Sequence, residues 1–170
     1  MTIIAPMTLT RISFVCSGNI CRSPIAESVF VRLVQAAGLE NAFEVESAGV
    51  GPWHVGEAPD PRASQTARAH GIALDTVAQQ IRARDFGRLD YVIALDAEVA
   101  STLRRLAPSP VDRAKVRLLR EFDPQPPANG DLDVPDPYYA GPDGFETAYQ
   151  MIERSARRLL DTLRNGHASA

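Results

Sequence analysis

The chain is short of cysteine, histidine, lysine and tryptophan, and each shortage closes off a class of function. Only two of its 170 residues are cysteines and three are histidines. Both thiols, Cys16 and Cys21, sit in one short stretch, so they cannot form the spread-out disulfide framework of a small secreted domain. With no second cysteine pair and few histidines, they cannot supply the four ligands of a structural zinc site, and no metal is expected. Lysine occurs once, at Lys115, and the Gly-Lys-Ser/Thr of a Walker-type nucleotide loop is missing. Arginine supplies the remaining cations, a bias that carries no functional weight by itself. No apolar run approaches the ~20 residues that span a bilayer. The opening MTIIAPMTLTR lacks the basic start and long apolar run of a signal peptide. The net charge of −3 gives no general attraction to nucleic acid or an anionic membrane. These readings place the protein in a reducing cytoplasm and require any anion site to be local.

What is present is an ordinary globular composition, 45% hydrophobic and 23% charged, at a length that suits one domain. The order of signals alternates. Arg11–Cys16 (RISFVC) reads as a buried strand. Ser23 and Pro24 read as the N-cap and first residue of a helix whose stripe is Ile25, Val29, Leu33 and Ala37, stopped by Gly38. Phe43–Ala48 alternates like a strand. Asp60-Pro61 opens a second helix that stops at Gly71. Residues 72–88 show no clear period. Asp90–Leu95 reads as another strand, Ala97–Ala107 as a helix, Val116–Leu119 as a weaker strand. Residues 123–142, rich in Pro, Gly and Asp, read as a long irregular loop, and a last helix is expected over Phe145–Arg164. Alternating strands and helices imply a parallel α/β sheet covered on both faces. The expected domain is 11–165, with flexible tails at 1–10 and 166–170.

The stretch VCSGNICRSP, Val15 to Pro24, carries the chemistry. A free thiol is only a few per cent ionised at neutral pH. Cys16 ends a strand where the chain turns into a helix, so unpaired N–H groups and the positive end of the helix dipole favour both a thiolate and a bound phosphate. Ser17 to Ser23 form the cradle. Gly18 lets the backbone approach the ligand. Asn19 tolerates left-handed geometry and braces the loop. Ile20 and Cys21 complete the turn. Arg22 can fork two phosphate oxygens, and Ser23 can donate to the sulfur. A phosphate or sulfate anion is the expected occupant. Asp131, Asp133, Asp136 and Asp143 are rival acids in the Pro-rich loop and its edge, and the residues alone do not rank them.

This stretch, with WHVGEAPDPRA, ARAHGI, DYVIALD and VPDPYYAGPDGFETAYQMIERSARRLL in that order, resembles the low-molecular-weight protein tyrosine phosphatases. The resemblance spans about Ile12 to Leu163. It implies a three-layer, flavodoxin-like fold with a four-stranded parallel sheet, no cofactor, and phosphotyrosine proteins as partners, with a tyrosine kinase as a second one. It implies Cys16 as nucleophile, Arg22 as phosphate clamp and Asp136, in Asp-Pro-Tyr, as general acid and then base. Trp53 and Tyr138 become walls for a phenol ring. Ser47 and His70 become supports of Asn19 and Ser23, with Asp96 a further polar support or merely a helix cap. Cys21 becomes a redox partner of Cys16 under oxidation. His54 reads as exposed loop and His167 as tail.

Two other chemistries fit the same loop. An arsenate reductase passes a disulfide through further cysteines. None follows Cys21, so only a version recycled by external thiols stays open. A phosphoarginine phosphatase resembles this signature but carries Thr where Ile20 stands, and an apolar Ile suits an aryl ring. A silent phosphate-binding module would lack nucleophile, Arg or acid, and all three are present.

Overall fold

The computed structural model describes residues 8–168. Four strands, β1 (Thr10–Cys16), β2 (Phe43–Gly49), β3 (Tyr91–Ala94) and β4 (Val116–Leu118), form one parallel sheet in the order β2-β1-β3-β4. The helices are α1 (Arg22–Ala36), α2 (Pro61–Ala69), α3 (Ala97–Leu106), the short α4 (Pro110–Ala114) and α5 (Pro142–Ala168). Among the described residues, no helix is long and apolar enough to cross a membrane.

Strand periodicity decides which residues face which layer. Ile12, Phe14 and Cys16 of β1, with Ile93 of β3, join α1 and α5 in one core, where Phe30 lies against both Phe14 and Phe43. Val15, with Val92 and Ala94, points the other way and packs on Val99 and Leu103 of α3 and on Phe86. Both faces are therefore buried, as a parallel sheet requires. The chain leaves β1 towards β2 on one side and later returns to place β3 on the other. The carboxyl ends of β1 and β3 consequently flank a crevice at the switch in strand order, where such sheets bind ligands.

The helix ends follow from local chemistry. Asp60 caps α2 by accepting the Arg62 N–H at 2.8 Å, with Pro61 as first residue. Gly38, at φ 69, ends α1 and lets Leu39 N–H reach the Val34 carbonyl at 3.0 Å. The helix expected to open at Ser23-Pro24 instead starts at Arg22, and no side chain caps it at Cys21. The serine hydroxyl is engaged elsewhere, and Pro24 is tolerated because the first turn needs no N–H there. The last helix starts at Pro142 and reaches Ala168, so it overlaps the expected C-terminal tail. Thr10 already belongs to β1. The rest of both tails, 1–7 and 169–170, lies outside the described residues. Helix α4 was not expected, although Ser109 caps it by accepting the Asp112 N–H at 3.1 Å.

The irregular stretch from 123 to 141 is tied down at its base. The buried Asp123 carboxylate takes Arg120 Nε at 3.0 Å and Arg154 Nε at 2.8 Å. Burial opposes its charge, but these guanidiniums and the Gln125 N–H hold Asp123 below the usual carboxylate range. Arg120 then donates to the Asp133 carbonyl at 2.8 Å, and Val134 N–H reaches the Leu95 carbonyl at 2.8 Å.

Candidate active site

Cys16 is the last residue of β1, and the chain after it turns sharply into α1. Gly49, opposite Cys16 at the end of β2, makes the turn fit. A Cβ at Gly49 would lie 2.7 Å from the Ser17 carbonyl oxygen and 3.1 Å from Asn19 N. Asn19 takes φ 60, the only positive φ at a non-glycine position among the described residues. Among those residues, the N–H groups of Ser17, Gly18, Asn19, Ile20 and Cys21 have no protein acceptor. Five consecutive orphan donors at a helix start make a concave anion site.

The polarity of the hydrogen bonds behind this loop is fixed from outside it. Gln79 donates its backbone N–H to Asn19 Oδ1 at 3.0 Å. The Asn19 amide nitrogen must then donate, and it does so to Ser23 Oγ at 2.8 Å and Ser47 Oγ at 3.0 Å. Ser23 Oγ lies 2.9 Å from Cys16 Sγ. Its one proton has two acceptors within reach, the sulfur and the Ala48 carbonyl at 3.4 Å, and the shorter contact is the one to the sulfur. An ionised sulfur can only accept, so this arrangement suits a thiolate.

Arg22 is 3% exposed. Its NH1 donates to Asp96 Oδ2 at 2.7 Å and to the Val134 carbonyl at 2.9 Å. Its NH2 lies 3.6 Å from Asp136 Oδ2. Burial works against the guanidinium's charge, but the neighbouring Cys16, Asp96 and Asp136 outweigh it and hold Arg22 above its ordinary value. Asp96 also accepts the Val99 N–H at 2.7 Å, so it is both support and helix cap. Burial, with Asp60, Cys16 and Asp136 nearby, pushes the Cys21 thiol up to about 12, so it stays neutral at physiological pH.

The four rival carboxylates separate here. Asp131 accepts the Asp133 N–H at 2.9 Å, and Asp133 accepts the Ala97 N–H at 2.7 Å. Asp143 sits in the first turn of α5. Asp136 alone among the four lines the pocket, a cavity of about 310 Å³ over Cys16 and Arg22. Trp53 and Tyr138 stand at its rim, with Trp53 65% exposed.

A family model described as low molecular weight phosphotyrosine protein phosphatase matches residues 11–169. The chain belongs to that family. A low molecular weight protein-tyrosine-phosphatase of Streptomyces coelicolor is 54% identical over 154 residues, which are 91% of this chain and 93% of that protein. Low molecular weight protein-tyrosine phosphatase A of Mycobacterium tuberculosis is 43% identical over 89% of this chain and 90% of its own length. A protein tyrosine phosphatase of Entamoeba histolytica, crystallised with Hepes in its active site, superposes with a TM-score of 0.86 at 30% identity, covering 92% of this chain and 98% of that one.

In this phosphatase, His70 is not where the resemblance implied. Its Nε2 lies 2.9 Å from Glu146, and its ring stacks on Tyr149 at 3.8 Å. It touches neither Asn19 nor Ser23. The amide support comes instead from Gln79, in the stretch without periodicity. His54 is also displaced from expectation. Its ring covers Gly18, where a Cβ would lie 2.8 Å from Cδ2, and it lines the pocket rather than open loop. Close approach of that ring is what the missing Cβ at Gly18 permits.

Glu27 was not foreseen at all. Ser47 Oγ donates to its carboxylate at 3.2 Å, extending the line from Cys16 through Ser23 and Asn19. Burial, helped by Glu46, pushes the Glu27 carboxyl up to about 7, although the Ser47 bond opposes this. A raised acid favours the fold while protonated. Its contribution is complete below about pH 4.5 and is lost as pH rises through about 7. Glu27→Gln keeps an acceptor for Ser47 and removes the charge. Urea unfolding at pH 5 and pH 8 should show the wild type losing on the order of 1–3 kcal/mol relative to the Gln variant across that window. Parallel pH profiles for the two proteins would refute the assignment.

Proposed function

We propose that this phosphatase hydrolyses protein phosphotyrosine through a phosphocysteine on Cys16. The observation that carries the reading is the coincidence, in one pocket, of the Cys16 sulfur, five orphan N–H groups and a buried, pre-anchored Arg22. The loop amides and the free edge of Arg22 hold the non-bridging phosphate oxygens, where charge develops. The sulfur attacks phosphorus in line, and Asp136 gives its proton to the leaving phenol oxygen. Asp136 leans on Arg22 NH2 at 3.6 Å. An arriving phosphate competes for that guanidinium edge and, as a dianion, favours the protonated carboxyl needed for the first step. In the second step Asp136 takes a proton from the water that attacks phosphocysteine, and Ser23 donates to the departing thiolate. Ile20 and Trp53 favour an aryl ester over a phosphoguanidine. In a reducing compartment both thiols would stay free, and under oxidation Cys21, the neighbouring thiol of the same loop, would pair with Cys16.

The test uses purified protein in EDTA with phosphotyrosine, phosphoserine and phosphoarginine peptides. Phosphate should be released from the phosphotyrosine peptide, and acid quenching should leave a phosphoryl mass on the peptide that contains Cys16. Faster release from phosphoarginine would reassign the substrate. Arsenate-dependent consumption of glutathione would favour the reductase chemistry.

A further inference from the structure

Arg62 touches both halves of the site, and the chemistry above does not use it. Its Nε and NH2 fork the Asp60 carboxylate at 3.0 and 2.8 Å. Its NH1 donates to the Tyr138 carbonyl at 2.8 Å. The guanidinium also lies 5.1 Å from the Tyr138 ring centre and 4.9 Å from that of Phe145. Each end of this bracket reaches the reacting groups in one further step. Asp60 donates its N–H to the carbonyl of Ile20, in the thiol loop, at 2.8 Å. Tyr138 donates its N–H to Asp136 Oδ1 at 3.0 Å. The line Ile20, Asp60, Arg62, Tyr138, Asp136 is thus made of direct contacts throughout.

The Arg62 side chain is 46% exposed, and an exposed ion pair contributes little to stability. What a forked and stacked guanidinium supplies is a fixed plane, which a flexible point charge does not. We propose that Arg62 is a positioning residue that sets the Asp136 carboxyl at its working distance from the thiol loop. The inference rests on reading Asp136 as the general acid. An acid must lie within hydrogen-bond reach of the bridging oxygen, and a misplacement near 1 Å costs up to about 100-fold.

Arg62→Met keeps the apolar stem against Tyr138 and Phe145 and removes every donor. The measurement is kcat/KM, which covers transfer to sulfur, for p-nitrophenyl phosphate and for phenyl phosphate, whose leaving oxygen needs a proton far more. The variant should lose about 2-fold on the first ester and on the order of 10-fold on the second. Inhibition by inorganic phosphate, which reads the loop and Arg22, should stay within about 2-fold. In an Asp136→Ala background, Arg62→Met should add no further discrimination between the esters. Should the Met variant not fold, Arg62→Lys is read against wild type and should show the same discrimination at smaller size. Equal losses on both esters, or discrimination that persists without Asp136, would overturn the proposal. If Asp136→Ala itself left the dependence on leaving group unchanged, the acid assignment would fall first, and that result is separate from any obtained with Arg62.

Discussion

Cys16→Ser should abolish turnover of aryl phosphates while leaving the fold and the anion site in place. The substitution is nearly isosteric, and a hydroxyl can keep the contact with Ser23 Oγ that the sulfur makes at 2.9 Å. The loop N–H groups and Arg22 are untouched. A serine hydroxyl, however, needs a general base to become a nucleophile. His54, the one histidine lining the pocket, is directed to Glu57 through Nδ1 at 2.8 Å and lies over Gly18. Loss of a nucleophile of this kind costs on the order of 10⁴–10⁶ in kcat. Trp53 is the only tryptophan of the chain and stands at the pocket rim, so its fluorescence on titration with inorganic phosphate reports whether the site survives. A Cys16→Ser protein that turns over p-nitrophenyl phosphate within tenfold of wild type would end the phosphocysteine account.

Asp136→Ala carries the second large effect. Removal of a general acid typically costs 10²–10⁴ in rate. The cost should fall near the upper end with phosphotyrosine or phenyl phosphate and near the lower end with p-nitrophenyl phosphate. Anion affinity should move the opposite way. The substitution removes a carboxylate 3.6 Å from Arg22 NH2, and with it a like-charged competitor for the guanidinium, so phosphate should bind no more weakly than before. Slow turnover with retained binding makes this variant suitable for capturing phosphotyrosine proteins. Equal rate losses on all three esters would argue that Asp136 acts on binding and not on the leaving oxygen.

How much of this was legible in the sequence depends on how local each determinant is. The strands and long helices were, because their periods of 2 and 3.6 are set by the faces they bury. Cys16 and Arg22 were, because strand end, turn and helix start lie within a few residues. Asp136 was not separable from its three rivals by local chemistry. What distinguishes it is Arg22, which is brought near by folding; accepting a backbone N–H does not, since Asp131, Asp133 and Asp136 all do so. Ser23 has two local readings, helix cap and partner of the sulfur, and only the cap fails, because its hydroxyl lies against the sulfur of Cys16 and the amide of Asn19. Gln79 was invisible for a related reason. It lies in a stretch with no period, and its bond to Asn19 spans 60 positions. His70 was misplaced because its partners Glu146 and Tyr149 lie some 76 to 79 residues away on α5. Arg62 stands in WHVGEAPDPRA, where only its neighbours Asp60 and Pro61 carry a local signal, and Glu27 lies three residues past the thiol-loop stretch with no local signal at all.

Gly49 has a consequence for anyone wishing to move this chemistry to another protein. The thiol loop rests on the bare backbone of the neighbouring strand, where any side chain would press on the Ser17 carbonyl and the Asn19 nitrogen. The ten residues VCSGNICRSP are therefore not a portable module. A transplant onto a different parallel sheet must bring a glycine on the adjacent strand, in register with the cysteine, or the grafted loop will be pushed off its floor and will not hold a phosphoryl group.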